Sequence, residues 1–75
     1  MKYPTNIQVY DKDKNQYRLL GIDEPVCTSV FENDELIVLK IPAHRGWIGR
    51  GEYKNYRTRY AIFWKAEKEI EYQKD

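Results

Sequence analysis

The sequence predicts a small all-β domain, an antiparallel barrel or curled sheet of about six short strands, with one short helical turn at most. Three observations support this prediction. Hydrophobic side chains recur with a period of two over most of the chain, as half-buried strands require. Gly, Pro, Asn and Asp separate these stretches at short intervals, as turns require. The chain has 75 residues, which suits one domain, 1–75, of SH3-like or OB-like size.

The first two strands are predicted at residues 6–10 and 16–20, which alternate apolar and polar side chains. Residues 11–15 lie between them and read Asp-Lys-Asp-Lys-Asn. Because Asp and Asn tolerate turn geometry and hydrogen-bond their own backbone, these residues indicate the turn of a hairpin.

The third and fourth strands are predicted at residues 25–31 and 36–41, separated by the turn 32–35. The fourth strand contains an unbroken Leu-Ile-Val-Leu run. Such a run is typical of a strand that is buried on both faces, so we expect this strand to be the central one. Pro42 ends it because proline cannot donate a backbone hydrogen bond.

The fifth strand, residues 57–65, has the clearest alternation. One of its faces carries Tyr60, Ile62 and Trp64. The other face, which we expect to be the outer and basic one, carries Arg57, Arg59, Ala61, Phe63 and Lys65.

A turn at residues 66–68 and a last strand at 69–72 complete the predicted sheet, with Ile70 and Tyr72 facing inward. The alternative for this part of the chain is a helix over residues 57–73, because Ala66-Glu67-Lys68-Glu69 are good helix formers.

Residues 42–56 show no regular period and contain Gly46, Gly49 and Gly51. They are therefore predicted to form an irregular loop. Long loops inside compact domains are commonly functional. The glycine spacing matches neither a dinucleotide fingerprint nor a P-loop, so it identifies no nucleotide by itself.

Charge is segregated along the chain although the net charge is only +1. Residues 1–40 carry five basic and seven acidic side chains, and residues 66–75 carry two basic and four acidic ones. Residues 41–65 carry six basic side chains against Glu52 alone. A segregated block of positive charge indicates a partner that is negatively charged.

This basic block is interleaved with aromatic residues, a combination typical of surfaces that hold single-stranded nucleic acid. The leading hypothesis is a non-enzymatic binding module for nucleic acid or a phosphate-bearing nucleotide, of a kind that would suit an accessory protein of a phage or mobile element. The predicted phosphate contacts are Arg45, Arg50, Lys54, Arg57, Arg59 and Lys65. The predicted stacking residues are Trp47, Tyr53, Tyr56 and Phe63, and the predicted backbone anion contacts are Gly46, Gly49 and Gly51.

Two alternatives remain open. The basic surface could dock on an acidic protein partner, or on the acidic segment 66–75 of a second copy to give a homodimer. The stretch Tyr-Arg-Thr-Arg-Tyr-Ala-Ile-Phe-Trp, residues 56–64, resembles the terminal strands of small ribosome-dependent RNase toxins. That resemblance covers about the last third of the chain and implies RNA cleavage assisted by His44, although no helix is predicted where those toxins have helices.

No metal or cofactor is expected. His44 is the only histidine and Cys27 the only cysteine, whereas a zinc site takes several such ligands. Residues 11–15 resemble the start of an EF-hand loop, but Gln16 and Ile22 occupy the positions of its required Gly and Glu. A single cysteine and the lack of a signal peptide indicate the cytoplasm. No apolar run approaches the roughly 20 residues that span a bilayer, so no membrane partner is expected.

Overall fold

Nine β-strands and no helix form the described part of the chain, residues 1–73, in a computed structural model. Seven strands make one antiparallel sheet that curls into a half-barrel, and the other two pair only with each other. The all-β prediction is therefore confirmed. The strands are β1 (Lys2–Pro4), β2 (Asn6–Asp11), β3 (Gln16–Leu20), β4 (Cys27–Glu32), β5 (Leu36–Ile41), β6 (His44–Gly49), β7 (Glu52–Tyr56), β8 (Arg59–Trp64) and β9 (Glu69–Tyr72).

β5 lies at the centre of the large sheet, whose order is β1-β9-β8-β5-β4-β3-β2. This confirms the central position predicted from its apolar run. Its inward side chains, Ile37, Leu39 and Ile41, are buried. Burial on both faces is not observed, because Val38 is half-buried and Lys40 is exposed on the convex side.

Thr5 joins the two edges of the sheet. β1 and β2 form opposite edges, yet Thr5 is the one residue between them. Its buried backbone N–H donates to the carbonyl oxygen of Lys68 (3.0 Å), and its Oγ1 donates to that of Leu20 (2.6 Å). The sheet must curl to bring these partners together. Pro4 is tolerated immediately before this corner because β1 is an edge strand.

The core fills the inner face of the curl. Its buried members are Leu19, Cys27, Ile37, Leu39, Ile41, Ala61, Phe63 and Ile70. Ile7, Tyr17, Ile22 and Tyr72 pack around its margin. Five neighbouring strands of the sheet, β3, β4, β5, β8 and β9, contribute buried side chains to this core. Burial of their apolar surface therefore holds the half-barrel together.

The predicted facing of β8 is wrong. Phe63 is only 3% exposed and Ala61 is fully buried, whereas Tyr60 is exposed. The cause lies in the neighbouring strand, because Phe63 pairs with Ile37 and Ala61 with Leu39, both of which face the core. Alternation shows that two faces differ, but the partner strand decides which of them is buried. Phe63 is therefore a core residue and not an exposed stacking residue.

The helix considered for residues 57–73 is also not formed. Residues 65–68 make a turn in which the Lys68 N–H donates to the carbonyl oxygen of Trp64 (2.9 Å). β9 follows with Ile70 buried and Tyr72 half-buried, which confirms the inward face predicted for this strand. Pairing of β9 with both β1 and β8 outweighs the local helix propensity of this short segment.

The hairpin predicted at residues 6–20 is formed by β2 and β3. In its turn, Asp11 Oδ1 accepts hydrogen bonds from the backbone N–H groups of Asp13 (3.0 Å) and Lys14 (3.2 Å). The carboxylate thus satisfies the turn backbone, as an Asx turn does.

A β-hairpin, β6–β7, replaces the irregular loop predicted for residues 42–56. Its strands pair from His44↔Tyr56 to Gly49↔Glu52. Two features hide this hairpin from a reading of the sequence. The register shifts between Trp47 and Gly49, which interrupts the alternation. No residue of either strand is buried, and one face is exposed along its whole length, so no apolar period marks a buried side.

Within residues 1–73 no helix is long and apolar enough to cross a membrane.

Candidate functional site

The β6–β7 hairpin carries most of the residues that the sequence predicts as a binding surface. On one face, here called the Trp47 face, lie Arg45, Trp47, Tyr53 and Asn55. Trp47 and Tyr53 are directly opposite each other and are 61% and 56% exposed. The Arg45 guanidinium lies 4.9 Å from the centre of the Tyr53 ring. This face therefore offers two aromatic surfaces and a cation to solvent.

The opposite face of the hairpin, here called the Tyr56 face, is packed more closely. The His44 ring stacks on the Tyr56 ring, with centroids 4.9 Å apart and planes at 16°. Gly46 makes room for Tyr56, because a Cβ at that position would lie 2.7 Å from Tyr56 Cε2. The Lys54 ammonium lies 5.4 Å from the centre of the same ring. Glycine at position 46 thus allows the tyrosine ring to lie across the neighbouring strand.

Arg50 and Gly51 form a two-residue turn at the tip of the hairpin. Both have positive φ, 53° and 73°, as a type I′ turn requires. Gly49, with φ 114°, precedes them at the register shift. The turn leaves Arg50 exposed at the tip. A further role of Gly46, Gly49 and Gly51 as backbone anion contacts stays a prediction.

A polar network centred on Glu24 lies at the base of the hairpin. The Glu24 side chain is only 6% exposed and accepts hydrogen bonds from Arg59 Nη2 and from the Tyr72 hydroxyl (2.9 Å). His44 Nε2 lies 3.8 Å from Glu24 Oε2. The network therefore connects the loop after β3 to strands β6, β8 and β9.

Glu24 was not among the predicted site residues. It precedes Pro25 in an acidic stretch between two strands, where carboxylates are usually solvated. Nothing in the local sequence indicates its burial, since its partner Arg59 is 35 residues away.

Arg59 has a different role from the predicted phosphate contact. Its guanidinium pairs with Glu24 and lies over the rings of Tyr56 (5.3 Å) and Tyr72 (4.5 Å). Glu24 neutralises its charge locally, and the side chain is 27% exposed. Arg59 is thus a partner within the protein, and it does not add a free positive charge to the surface.

Two acidic groups near this network hold their protons more strongly than usual. Burial raises the pKa of Tyr72, and its hydrogen bond to Glu24 raises it further. Burial also raises the pKa of Cys27 from 9.0 to about 11, with a smaller contribution from the Glu24 carboxylate. Both groups are therefore neutral at physiological pH.

Lys65 belongs to a separate network at the opposite end of β8. Its ammonium pairs with Glu32 (2.9 Å), which also accepts a hydrogen bond from the Tyr17 hydroxyl (2.9 Å). These two donors lower the pKa of the Glu32 carboxyl. Six residues of extended chain place Lys65 about 20 Å from Arg59. The predicted single surface therefore divides, and Lys65 is not part of the hairpin site.

Four of the predicted cations remain together on the hairpin and the segment after it: Arg45, Arg50, Lys54 and Arg57. All four are exposed, and none forms an ion pair with another residue in 1–73. Residues 54–59 line a groove of about 340 Å³ along the end of β7. This groove, called the basic groove below, contains Lys54 and Arg57 at its surface.

Both ring nitrogens of His44 face protein groups. Nδ1 lies 2.9 Å from the carbonyl oxygen of Pro42, and Nε2 faces Glu24. This placement lends no support to RNA cleavage assisted by His44, which stays a prediction. Across residues 1–73 there is no group of three or more His, Cys, Asp or Glu side chains arranged to hold a metal ion.

The acidic segment predicted to join a second copy is described only in part. Glu69 and Glu71 lie in β9 and are half-buried, and Glu67 is exposed in the preceding turn. Lys74 and Asp75 lie outside the described residues. The homodimer therefore stays a prediction.

Comparison of the chain with protein-family models, with curated proteins and with solved structures finds no match.

Proposed function

We propose that the β6–β7 hairpin binds single-stranded nucleic acid. Bases stack on Trp47 and Tyr53, and Arg45, Arg50, Lys54 and Arg57 contact phosphates. The observation that supports this proposal most directly is the exposed pair of aromatic rings on the Trp47 face, with the Arg45 guanidinium over the Tyr53 ring.

The exposed rings do not serve the core of the protein. Neither Trp47 nor Tyr53 belongs to the core cluster or to the residues packed against it. Aromatic rings that stay in water lose the free energy that their burial would provide. A base stacked on such a ring recovers it, and each stacked base contributes about 1–3 kcal/mol. Single strands suit this surface better than duplexes because their base faces are accessible.

The unpaired cations supply the electrostatic part of the binding. Arg45, Arg50, Lys54 and Arg57 have no acidic partner in residues 1–73, so phosphates can approach them without displacing an ion pair. If all four side chains contact phosphates of a single strand, a plot of the logarithm of the association constant against the logarithm of the salt concentration should have a slope of about −3.

A fluorescence anisotropy titration with labelled single-stranded oligonucleotides at low and moderate salt tests the proposal. Trp47→Ala should weaken binding about tenfold, because one stacked base is lost. The matched control is Lys12→Ala with Lys14→Ala, which removes two exposed charges from the β2–β3 turn and should have little effect. Absence of binding at low salt, or binding that is insensitive to both Trp47→Ala and Arg57→Ala, would contradict the proposal.

A second candidate is docking of the same hairpin on an acidic protein. Ile48 favours this alternative, because it is an exposed aliphatic side chain beside Trp47 that base stacking does not need. Ile48→Ser should then abolish capture of one acidic protein from a nuclease-treated extract while leaving oligonucleotide affinity unchanged. If capture is the same for the variant and the wild type, this second candidate fails.

A further inference from the structure

Three tyrosine rings converge on a cleft of about 450 Å³ beside the base of the hairpin. Tyr3 comes from β1, Tyr56 from β7 and Tyr72 from β9. Tyr3 and Tyr72 meet edge to face, with centroids 6.0 Å apart and planes at 61°. Ile22 adds an aliphatic wall. The cleft thus presents mainly aromatic and apolar surface, which fits a flat and largely apolar ligand.

Arg59 and Glu24 form the polar part of the cleft wall, and their hydrogen-bonding capacity is not used up. Arg59 Nη2 pairs with Glu24 Oε1, and no other nitrogen of the guanidinium forms a hydrogen bond within residues 1–73. Arg59 Nε and Glu24 Oε2 are buried, so a ligand cannot reach them. A guanidinium has five N–H donors, and Arg59 lines the cleft with its side chain 27% exposed. The donors of Arg59 Nη1 are therefore the ones that bond to an acceptor atom on a bound ligand.

The cleft adjoins the basic groove. Tyr56 and Arg59 line both of them, and the groove also contains the exposed cations Lys54 and Arg57. A neutral aromatic cleft beside a cationic groove matches two of the three parts of a nucleotide, its flat base and its charged phosphate.

We propose that the tyrosine cleft receives one base of the strand that the hairpin binds. The base packs against Tyr3 and Tyr72, a carbonyl or ring nitrogen on its edge accepts a hydrogen bond from Arg59, and the adjoining phosphate lies in the basic groove. This inference rests on the proposed function and adds to it a site that holds a single nucleotide.

Charge favours the base over the phosphate as the occupant of the cleft. Glu24 neutralises Arg59, and a phosphate placed here would lie close to a carboxylate that is only 6% exposed. A neutral base edge meets no such repulsion. The free cations of the basic groove, in turn, favour a nucleotide over an uncharged peptide.

Titration of the ¹⁵N-labelled protein with AMP, GMP, CMP and UMP, followed by amide NMR spectra, tests the site. Gly21 and Ile22 line the cleft and belong to the loop after β3 rather than to the hairpin, so their amide signals should shift with at least one mononucleotide. Tyr3→Leu should weaken that binding about tenfold, as expected for loss of a stacking ring. Tyr10→Leu is the matched control, because Tyr10 is an exposed tyrosine in β2 that does not line the cleft.

Two outcomes would overturn the inference while leaving the proposed function intact. In the first, oligonucleotides bind with the expected dependence on Trp47, but no mononucleotide shifts Gly21 or Ile22. In the second, a proline-rich peptide shifts these signals and the mononucleotides do not. The titration of the wild-type protein decides between these outcomes even if Tyr3→Leu does not fold.

Discussion

At the scale of single residues, Glu24 and Arg59 are the pair whose roles depend most on the fold. The Glu24 side chain is 6% exposed to solvent, and the Arg59 side chain is 27% exposed. The Tyr56 and Tyr72 rings flank the guanidinium, and the Tyr72 hydroxyl shares the Glu24 oxygen that Arg59 contacts. An arginine that looks like part of a basic surface in the sequence therefore serves to hold the base of the hairpin against the half-barrel.

Removal of the Glu24 carboxylate should destabilise the protein. Glu24→Ala leaves the Arg59 charge partly buried without its partner, and we expect a loss of about 2–4 kcal/mol, somewhat below the range for fully buried pairs. Urea denaturation measures this loss. The control is Glu32→Ala, which breaks the more exposed pair with Lys65 and should cost at most about 1 kcal/mol. Equal losses in the two variants would contradict the structural role of Glu24.

Stability should fall in alkaline solution because of Cys27. The unfolded thiol releases its proton near pH 9.0, whereas the folded one keeps it up to about pH 11. The folded state therefore binds more protons in this window, and the free energy of unfolding decreases as pH rises through it. Cys27→Ala removes this contribution. The midpoint temperature of thermal unfolding, measured below pH 9 and between pH 9 and 11, should fall less steeply with pH for the variant than for the wild type. An unchanged slope of midpoint temperature against pH would count against the burial of the thiol.

At the scale of the structural element, the β6–β7 hairpin differs from every strand of the half-barrel. It pairs only with itself, it contributes no residue to the core cluster, and it carries six exposed large or basic side chains along its length and tip, namely Arg45, Trp47, Ile48, Arg50, Tyr53 and Lys54. Such an element is stabilised mainly by its own ladder and turn, so its local opening should be easier than unfolding of the sheet.

Two substitutions of Arg50 test the charge of the hairpin tip separately from its backbone geometry. Arg50 has φ 53°, a conformation that asparagine adopts more readily than arginine. In Arg50→Asn we expect hydrogen exchange of the hairpin amides to slow by an amount equivalent to about 0.5–1 kcal/mol, while oligonucleotide binding weakens through loss of one cation. Arg50→Val removes the same charge but disfavours positive φ, so it should speed exchange. Similar exchange in the two variants would contradict the turn geometry.

At the scale of the whole molecule, closure of the sheet depends on the N-terminal segment. β1 and β2 are consecutive in the chain but lie at opposite edges of the sheet, so the corner at Thr5 connects both edges across the open side of the half-barrel. Pairing of β1 with β9, in the register Tyr3↔Ile70, brings Tyr3 against Tyr72 and so forms one wall of the tyrosine cleft. The N-terminal segment thus contributes both to closure of the sheet, at Thr5, and to the cleft, at Tyr3.

Thr5→Val should loosen this corner without changing its volume greatly. It removes the Oγ1 donor to the carbonyl oxygen of Leu20, and we expect a loss of about 1–2 kcal/mol in the free energy of unfolding, since this part-buried hydrogen bond is lost. Urea denaturation provides the measurement. Thr58→Val, at an exposed position after β7, serves as the control and should be nearly neutral. Equal stability of Thr5→Val and wild type would show that the corner does not depend on this bond.

The local features of the fold could be read from the sequence. Alternation and turn residues predict the β2–β3 hairpin, the bounds of β5 and β9, and the inward face of Ile70. The apolar run of β5 also predicts its central place in the sheet. These features depend on residues close together in the chain, and a period of two is a direct consequence of strand geometry.

The candidate site could be read only in part. Trp47, Tyr53 and the cations of residues 45–57 are found together because one hairpin carries them. The sequence does not indicate the hairpin itself, since neither of its faces is buried and its register shift interrupts the alternation. Burial produces the pattern by which strands are recognised, and an element without burial shows little of it.

The order of residues along the chain is enough to predict the fold class, the central strand and the basic, aromatic character of one segment. Three other features emerge only from the folded chain: Phe63 faces the core, Arg59 is paired with Glu24, and Lys65 is paired with Glu32 at the far end of β8. The reason is distance along the chain. Which face of a strand is buried, and which charges meet, is decided by partner residues on other strands, 35 positions away in the case of Glu24 and Arg59.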